Sequence, residues 1–315
     1  MKILIVDATN NFIRNYAVVP TLSGTGEPNG GVIGFLRSLG LFARTFESDK
    51  IILIWDGPGG SSKRKAILKD YKEGRKPIRI NRNYDFERID PERNKIKQRL
   101  RLAEYLKDLP VIQLSIPDVE ADDVVGYLVK YYNEDEKIIV SNDKDFYQLI
   151  SNKVQMYSPT KKEFITPDYL LENFGIPPVN FALARAIVGD ESDNIKGVKG
   201  VGFKNLIKYF PFMSEQNKVT PQQLIDYASQ QTGKKEIKKY ERFTNCTQLV
   251  IDNYQIMQLE SPIMSVSSIR KIREGLEKKI GLNATSFRIK LYEDGITTIN
   301  DSFFQPFRIL YNKGK

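Results

Sequence analysis

The chain has 315 residues, of which 41% are hydrophobic and 28% charged, a composition typical of a globular protein with a substantial core. It contains no histidine, which excludes a Ser-His-Asp triad, a His-ligated zinc site and a histidine general base. The single cysteine, Cys246, cannot form a disulfide within the chain, and this favours a reducing, cytoplasmic location.

The apolar segments are all short. None approaches the roughly 20 residues that a membrane-spanning helix needs, so we expect no membrane association. The apolar start of the chain ends at Asp7, too early for the apolar core of a signal peptide, and we interpret it as a buried strand.

The net charge of +9 is concentrated in one segment. Residues 63–101 contain 15 Lys and Arg and 6 Asp and Glu, an excess of positive charge that equals that of the whole chain. A basic segment of this kind attracts a polyanion, most commonly nucleic acid. The alternative is an ordinary solvated helix face.

The first half of the chain alternates short apolar segments with helical patterns. Strands are predicted at Lys2–Val6, Lys50–Trp55, Val111–Leu114 and Lys137–Val140, and helices at Gly31–Phe46, Pro91–Lys107 and Val119–Tyr132. Continuous apolar strands separated by helices are typical of a parallel sheet covered on both faces. The predicted fold class is therefore α/β, with a central, mostly parallel sheet flanked by helices.

The pattern changes after about Pro178. Two further helices are predicted, at Ala182–Val188 and Lys204–Phe210, and they flank a glycine-rich segment. The remainder, Pro221–Lys315, mixes helical segments with a polar tail. These features divide the chain into a first domain at 1–180 and a largely helical region at 181–315.

Acidic residues follow all four predicted strands near the point where each strand ends. They are Asp7, Asp56, the group Glu120, Asp122 and Asp123, and the pair Asp143 and Asp145. Because the carboxyl ends of parallel strands lie at one edge of a sheet, we expect these side chains to converge. A single Asp after a strand is often a turn residue or a helix cap, but four strands ending in acids favour a metal site.

Converging carboxylates repel each other unless a cation holds them together. An all-oxygen set of ligands without His or Cys favours Mg²⁺ or Mn²⁺ over zinc. Two such ions bridged by carboxylates are the usual arrangement for cleavage of a phosphodiester bond.

Several motifs, in order, resemble those of the 5′ nuclease (flap endonuclease) family, which has a PIN-like nuclease domain. They are Asp56-Gly57, Tyr71-Lys72-Glu73-Gly74-Arg75, Glu120-Ala121-Asp122-Asp123, Asp143-Lys144-Asp145 and the run from Gly189 to Gly202. The resemblance extends from Asp7 to Lys204 and implies a metal-dependent 5′-3′ exonuclease and flap endonuclease that also cuts RNA–DNA hybrid.

The resemblance also assigns the carboxylates to two metal ions. The residues that match the first group are Asp7, Asp56, Glu120 and Asp122, and those that match the second are Asp143, Asp145, Asp190 and Asp193. Asp123 is expected beside them as a catalytic residue. The implied cofactors are two Mg²⁺ ions, for which Mn²⁺ can substitute.

The basic segment, near 61–95, corresponds to the family's helical arch, through which a single 5′ strand passes. Lys72 matches a lysine that contacts the scissile phosphate, and Arg75 matches an arginine that stabilises developing charge there. Tyr71 either stacks on a base or packs beneath the arch. Arg64 and Lys65 either contact phosphate or are simply solvated.

The glycine-rich segment resembles the family's helix–three-turn–helix, which grips the duplex backbone without reading sequence. The residues expected to contact nucleic acid there are Gly197, Lys199, Gly200, Gly202 and Lys204. In the family a K⁺ ion often lies in this hairpin. The chain departs from the pattern at Phe203 and Asn205, where the family usually has other residues.

The leading functional prediction is removal of RNA primers and 5′ flaps from branched or 5′-ended replication intermediates. The alternatives are a PIN-type ribonuclease and a non-catalytic DNA-binding scaffold.

In its brevity and its divergent C-terminal region the chain resembles phage replication 5′ nucleases, including those named ribonuclease H. In such enzymes the C-terminal region can bind a single-strand-binding protein. We expect a monomer located in the cytoplasm, which for a phage protein is that of the host.

Overall fold

A computed structural model describes residues 1–24, 26–74, 89–231 and 237–314, with only the backbone described at 237–239. A six-stranded sheet forms its centre. The strands are β1 (Lys2–Asp7), β2 (Lys50–Trp55), β3 (Ile112–Ser115), β4 (Glu136–Val140), β5 (Val154–Ser158) and β6 (Glu163–Ile165). Their spatial order is β3-β2-β1-β4-β5-β6, and all neighbours are parallel except β5 and β6. The predicted mostly parallel sheet is confirmed.

The helices connect these strands and form most of the chain beyond β6. They are α1 (Ala8–Val18), α2 (Gly30–Phe46), α3 (Ser62–Ile67), α4 (Pro91–Leu106), α5 (Ala121–Tyr131), α6 (Pro167–Phe174), α7 (Pro178–Val188), α8 (Phe203–Tyr209), α9 (Pro221–Gln231), α10 (Ile237–Thr244), α11 (Thr247–Met257), α12 (Val266–Leu276), α13 (Ala284–Glu293) and α14 (Gln305–Lys313). A short ribbon of β7 (Gly189–Asp190) and β8 (Ile195–Lys196) follows α7.

The sheet separates two hydrophobic cores. Alternate residues of β1 point to opposite faces, so Ile3 and Ile5 lie in one core while Leu4 and Val6 lie in the other. The first core is covered by the helices from α5 to α12. The second is covered by α1, α2 and α4, together with α13 and α14. Residues beyond 181 therefore contribute to both cores.

The strand order places a switch point between β1 and β4. From β1 the chain proceeds to β2 and β3 on one side, and then returns to β4 on the other side of β1. Connections that leave neighbouring strands in opposite directions open a crevice at the carboxyl ends of those strands. Asp7, the last residue of β1, and Asp143, three residues beyond β4, flank this crevice.

Five of the helices and strands in the nuclease half were not predicted: α1, α3, β5, β6 and α6. The sequence of α1, Ala8–Val18, lacks a strong apolar period because Asn11 and Asn15 are among its buried residues. Helix α5 begins two residues later than expected, since Val119 and Glu120 precede it in extended backbone. In the described part of the chain, no helix combines the length and the apolar character needed to cross a bilayer.

Candidate active site

Three carboxylates from two elements meet at the crevice. Asp122 lies in the first turn of α5, while Asp143 and Asp145 lie at the start of the short 3-10 helix after β4. Each offers a carboxylate oxygen, and these oxygens all lie within 4.8 Å of one another. Local hydrogen bonds fix the arrangement, because Asp143 Oδ1 accepts from the Asp145 backbone N–H at 2.9 Å.

Asp7 and Asp56 lie beside this trio, as predicted from the strand ends. Asp7 Oδ1 caps α1 by accepting from Asn10 N–H at 3.0 Å, and its Oδ2 accepts from Ser141 Oγ–H at 2.9 Å. Asp56 Oδ1 accepts from Ala121 N–H at 3.0 Å, which ties the end of β2 to the start of α5. The two carboxylates are thus held in place by neutral donors, which leaves their negative charge uncompensated.

The electrostatics of the crevice call for a cation. Burial raises the pKa of Asp7 to about 7, and the nearby charges of Asp56 and Asp143 act in the same direction. Burial, with the charge of Asp143, also raises the pKa of Asp145 to about 7. Burial and Asp143 raise the pKa of Asp122 well above its ordinary value. A hard divalent cation would relieve this repulsion, so the donor set fits such an ion.

Glu120 and Asp123 are bound by a buried arginine in the structure, and their predicted roles at the metal site stay predictions. Arg64 is 5% exposed and donates from Nη1 to Asp123 Oδ2 at 2.7 Å and to Glu120 Oε2 at 3.1 Å. Its Nε donates to the Ile256 carbonyl at 2.8 Å. The prediction that Arg64 contacts nucleic acid or is solvated is therefore wrong for this structure, because its buried guanidinium donates its hydrogen bonds to groups inside the protein. Lys65, the next residue, is exposed.

Tyr71 and Lys72 connect the base of the predicted arch to the same carboxylates. Tyr71 is 3% exposed, and its hydroxyl lies 3.0 Å from Glu120 Oε2 and 3.3 Å from Asp193 Oδ2. Tyr71 is therefore packed inside the protein, and its stacking on a base stays a prediction. Lys72 Nζ lies 2.8 Å from Glu120 Oε1, and its backbone N–H donates to the Asp193 carbonyl at 2.8 Å. Arg75 lies outside the described residues.

Arg185 is a site residue that the sequence analysis missed. Helix α7 carries it into the crevice, where Nη2 donates to Asp145 Oδ1 at 2.9 Å and to Asp190 Oδ2 at 2.5 Å. The Arg185 charge and hydrogen bonds from Ser192 hold the pKa of Asp190 below its ordinary value, although burial acts to raise it. Arg185 lies only five residues before Asp190, a predicted metal ligand. This short spacing is the feature of the sequence that could have indicated a contact between the two side chains.

The glycines of the hairpin between α7 and α8 are of two kinds: some are required by close packing, and others are exposed to solvent. A Cβ on Gly197 would lie 2.1 Å from the Val188 carbonyl oxygen, so Gly197 is required by packing against α7. Gly200 has a φ of +78°, and a Cβ on Gly202 would have no atom within 4 Å. Among the predicted contacts with nucleic acid, Lys199, Gly200, Gly202 and Lys204 are exposed, and Gly197 is partly buried.

Relatives of the chain were identified by sequence. Residues 2–175 match the family described as 5'-3' exonuclease, N-terminal resolvase-like domain. The chain is 28% identical to a 5'-3' exonuclease of Buchnera aphidicola over 291 residues, which are 88% of this chain and 93% of that protein. It is 36% identical to the thermostable DNA polymerase I of Thermus aquaticus over 66% of this chain but only 23% of the polymerase.

Solved structures show the same fold. The flap endonuclease of bacteriophage T5, in a complex with DNA and metal ions, superposes with a TM-score of 0.70. The match covers 88% of this chain and 98% of the T5 chain at 20% sequence identity. The family match covers more than half of the residues and agrees with the fold and the strand-end carboxylates: the chain is a member of the 5'-3' exonuclease family.

Proposed function

We propose that this chain hydrolyses phosphodiester bonds near the 5′ ends of branched DNA and of RNA–DNA hybrid, with two bound Mg²⁺ ions. The observation that carries the proposal is the trio Asp122, Asp143 and Asp145, whose oxygens lie within 4.8 Å of one another at the switch point of the sheet. The absence of histidine from the chain leaves an oxygen-ligated hard cation as the fitting cofactor.

The carboxylates that are not paired with a basic side chain are the ones best placed to hold a cation. Among the described residues, Asp7, Asp122 and Asp143 form no ion pair, and the carboxylate of Asp56 accepts only from a backbone N–H. Asp145, Asp190 and Asp193 would complete the second group. Divalent cations bound there supply the charge that lowers the pKa of an attacking water and stabilises the leaving oxygen.

Side chains of the chain itself would bind and orient the substrate. The Lys72 ammonium is 20% exposed at the edge of the crevice, where it could contact the scissile phosphate. Burial acts to lower the pKa of Lys72, but Glu120 and Asp122 raise it, so the amine remains charged. The exposed Lys199 and Lys204 lie on the glycine hairpin and would bind duplex phosphates without reading sequence.

Two rival functions fit the observations less well. A PIN-type ribonuclease would not need the glycine hairpin with Lys199 and Lys204, which suits a duplex backbone. A cluster of carboxylates destabilises the fold because the like charges repel each other, and a non-catalytic scaffold would gain nothing from it. The crevice nevertheless keeps Asp122, Asp143 and Asp145 together.

The finer features that the family resemblance implies belong to the same proposal. They are a K⁺ ion at the hairpin around Gly200, a single-strand-binding protein that docks on the C-terminal region, and action as a monomer in the cytoplasm.

The test is cleavage of 5′-labelled substrates by the purified chain. A DNA flap, a nicked duplex and an RNA–DNA hybrid are each incubated with Mg²⁺ and with EDTA. We expect Mg²⁺-dependent release of short 5′ products from all three. Cleavage of the two DNA substrates alone would remove the RNA–DNA hybrid from the proposal. Salt-sensitive binding without any cleavage would instead favour the scaffold.

A further inference from the structure

The acidic residues of the crevice differ in whether a basic side chain already neutralises them. Asp7, Asp122 and Asp143 have no cationic partner among the described residues. Asp145 and Asp190, by contrast, share one guanidinium, that of Arg185. The first set can accept a metal ion directly, whereas the second set already holds a positive charge.

The Arg185 side chain is largely buried and is held in place by several hydrogen bonds. It is 11% exposed, and the side chains of Asp145 and Asp190 are 16% and 13% exposed. Its Nε also lies 3.3 Å from Asp145 Oδ1, so Nε and Nη2 both donate to the same carboxylate oxygen. The other oxygen of Asp190 accepts from the backbone N–H and the hydroxyl of Ser192, at 2.9 and 2.7 Å.

These contacts leave Asp190 with no unused oxygen. A metal ion at this carboxylate would have to use the remaining lone pair of Asp190 Oδ2, where the guanidinium would repel the ion from within a few ångströms. At the same time, Arg185 prevents Asp145 and Asp190 from repelling each other in the metal-free protein. One side chain therefore both arranges the second carboxylate group and competes with its cation.

We propose that Arg185 is a resident counter-cation of the second carboxylate group: it positions Asp145 and Asp190 while no metal ion is bound, and its charge opposes a divalent cation that binds there. The inference rests on the proposed function, because it assumes that these carboxylates bind a metal. It follows that the second cation binds more weakly than the first, and that removing the guanidinium strengthens the weaker site.

The test is a Mn²⁺ titration of the full chain without DNA, in which electron paramagnetic resonance reports free Mn²⁺. Arg185→Gln should tighten the weaker of two binding constants about tenfold, as expected for loss of one nearby like charge under partial screening. The stronger constant should change little. Arg288→Gln removes an exposed arginine that is paired with Asp301 and serves as the control for net charge.

The outcomes separate the inference from the proposed function. An unchanged or weaker second constant in Arg185→Gln would overturn the role of Arg185. A wild-type chain that binds no Mn²⁺ would instead count against the metal site as a whole. If circular dichroism shows that Arg185→Gln is unfolded, Arg185→Met carries the test, because methionine removes the charge but keeps an unbranched apolar side chain. Its weaker constant should tighten by a similar factor, and no tightening would again overturn the role.

Discussion

Arg64 donates two hydrogen bonds to Asp123, from Nη1 to Oδ2 at 2.7 Å and from Nη2 to Oδ1 at 2.9 Å, inside the protein. This forked pair joins the start of the arch segment to α5, and the same guanidinium reaches Glu120. It makes Arg64 part of the support beneath the carboxylates of the crevice. The charge of Asp123 is thereby neutralised by an ion pair inside the protein.

Replacing Arg64 should destabilise the chain strongly. Arg64→Met leaves the buried Asp123 without its cation and Glu120 with Lys72 alone, and we expect the free energy of unfolding to fall by about 3–5 kcal/mol. Urea denaturation measures the change, with Lys65→Met as the matched control at the exposed neighbouring position. A loss for Arg64→Met no larger than that of the control would show that the pair carries no stability.

The glycine hairpin offers a matched pair of substitutions. Gly197→Ala places a Cβ 2.1 Å from the Val188 carbonyl oxygen and 2.3 Å from its carbon, so it should cost about 1–3 kcal/mol or more and weaken duplex binding. Gly202→Ala meets no atom within 4 Å and should leave stability unchanged within about 0.5 kcal/mol. Denaturation and fluorescence anisotropy on duplex DNA measure both. Equal stabilities of the two variants would contradict the packing role of Gly197.

The raised pKa values make metal binding depend on pH. Asp7 and Asp145 titrate at about 7 in the metal-free folded chain, above the ordinary value of 3.8. The folded chain therefore holds more protons than the unfolded chain between about pH 4 and 7, and its metal-free stability falls as the pH rises through this window. Because protons compete with metal ions for the carboxylates, metal affinity should rise over the same range.

Thermal unfolding with and without saturating Mg²⁺ measures this dependence. The increase in melting temperature that Mg²⁺ produces should be larger at about pH 8 than at about pH 6, since fewer protons need to leave at the higher pH. The same increase at both values would mean that carboxylates such as Asp7 and Asp145 are already ionised without metal.

Lys72 should affect the chemical step more than folding. Its ammonium is partly exposed beside Glu120, and that carboxylate keeps Arg64 and Tyr71 as donors when Lys72 is lost. We expect Lys72→Met to slow single-turnover flap cleavage by about 10²-fold or more, with the melting temperature little changed. Lys69→Met, an exposed lysine of the same segment, is the control. A normal cleavage rate for Lys72→Met would remove Lys72 from the catalytic role.

Much of the crevice could be predicted because strand ends can be located from apolar patterns. Asp7 and Asp56 adjoin runs of buried β-branched residues, and parallel connectivity alone brings their carboxylates to one edge. The same reasoning predicted Asp122, Asp143 and Asp145, whose oxygens come together in the structure.

The misassigned and missed residues are those whose environment depends on distant parts of the chain. Arg64 lies in a basic, turn-rich segment that looks solvated, but α11 supplies the Ile256 carbonyl that binds its Nε. Arg185 looks like an ordinary basic residue of a helix, and it reaches Asp145, 40 residues away, only because α7 packs against the 3-10 helix after β4. A run of charged residues or a helical pattern in the sequence gives no information on which distant residues a side chain will contact.

The most direct measurement compares flap cleavage by wild type, Asp143→Asn and Asp168→Asn in Mg²⁺. Asp143 lies in the carboxylate trio, while Asp168 is an exposed aspartate in the first turn of α6. We predict that Asp143→Asn loses cleavage but still binds the flap in a salt-sensitive manner, because the phosphate contacts lie elsewhere, and that Asp168→Asn cleaves like wild type. Undiminished cleavage by Asp143→Asn at the same Mg²⁺ concentration would contradict a metal-dependent nuclease centred on this crevice.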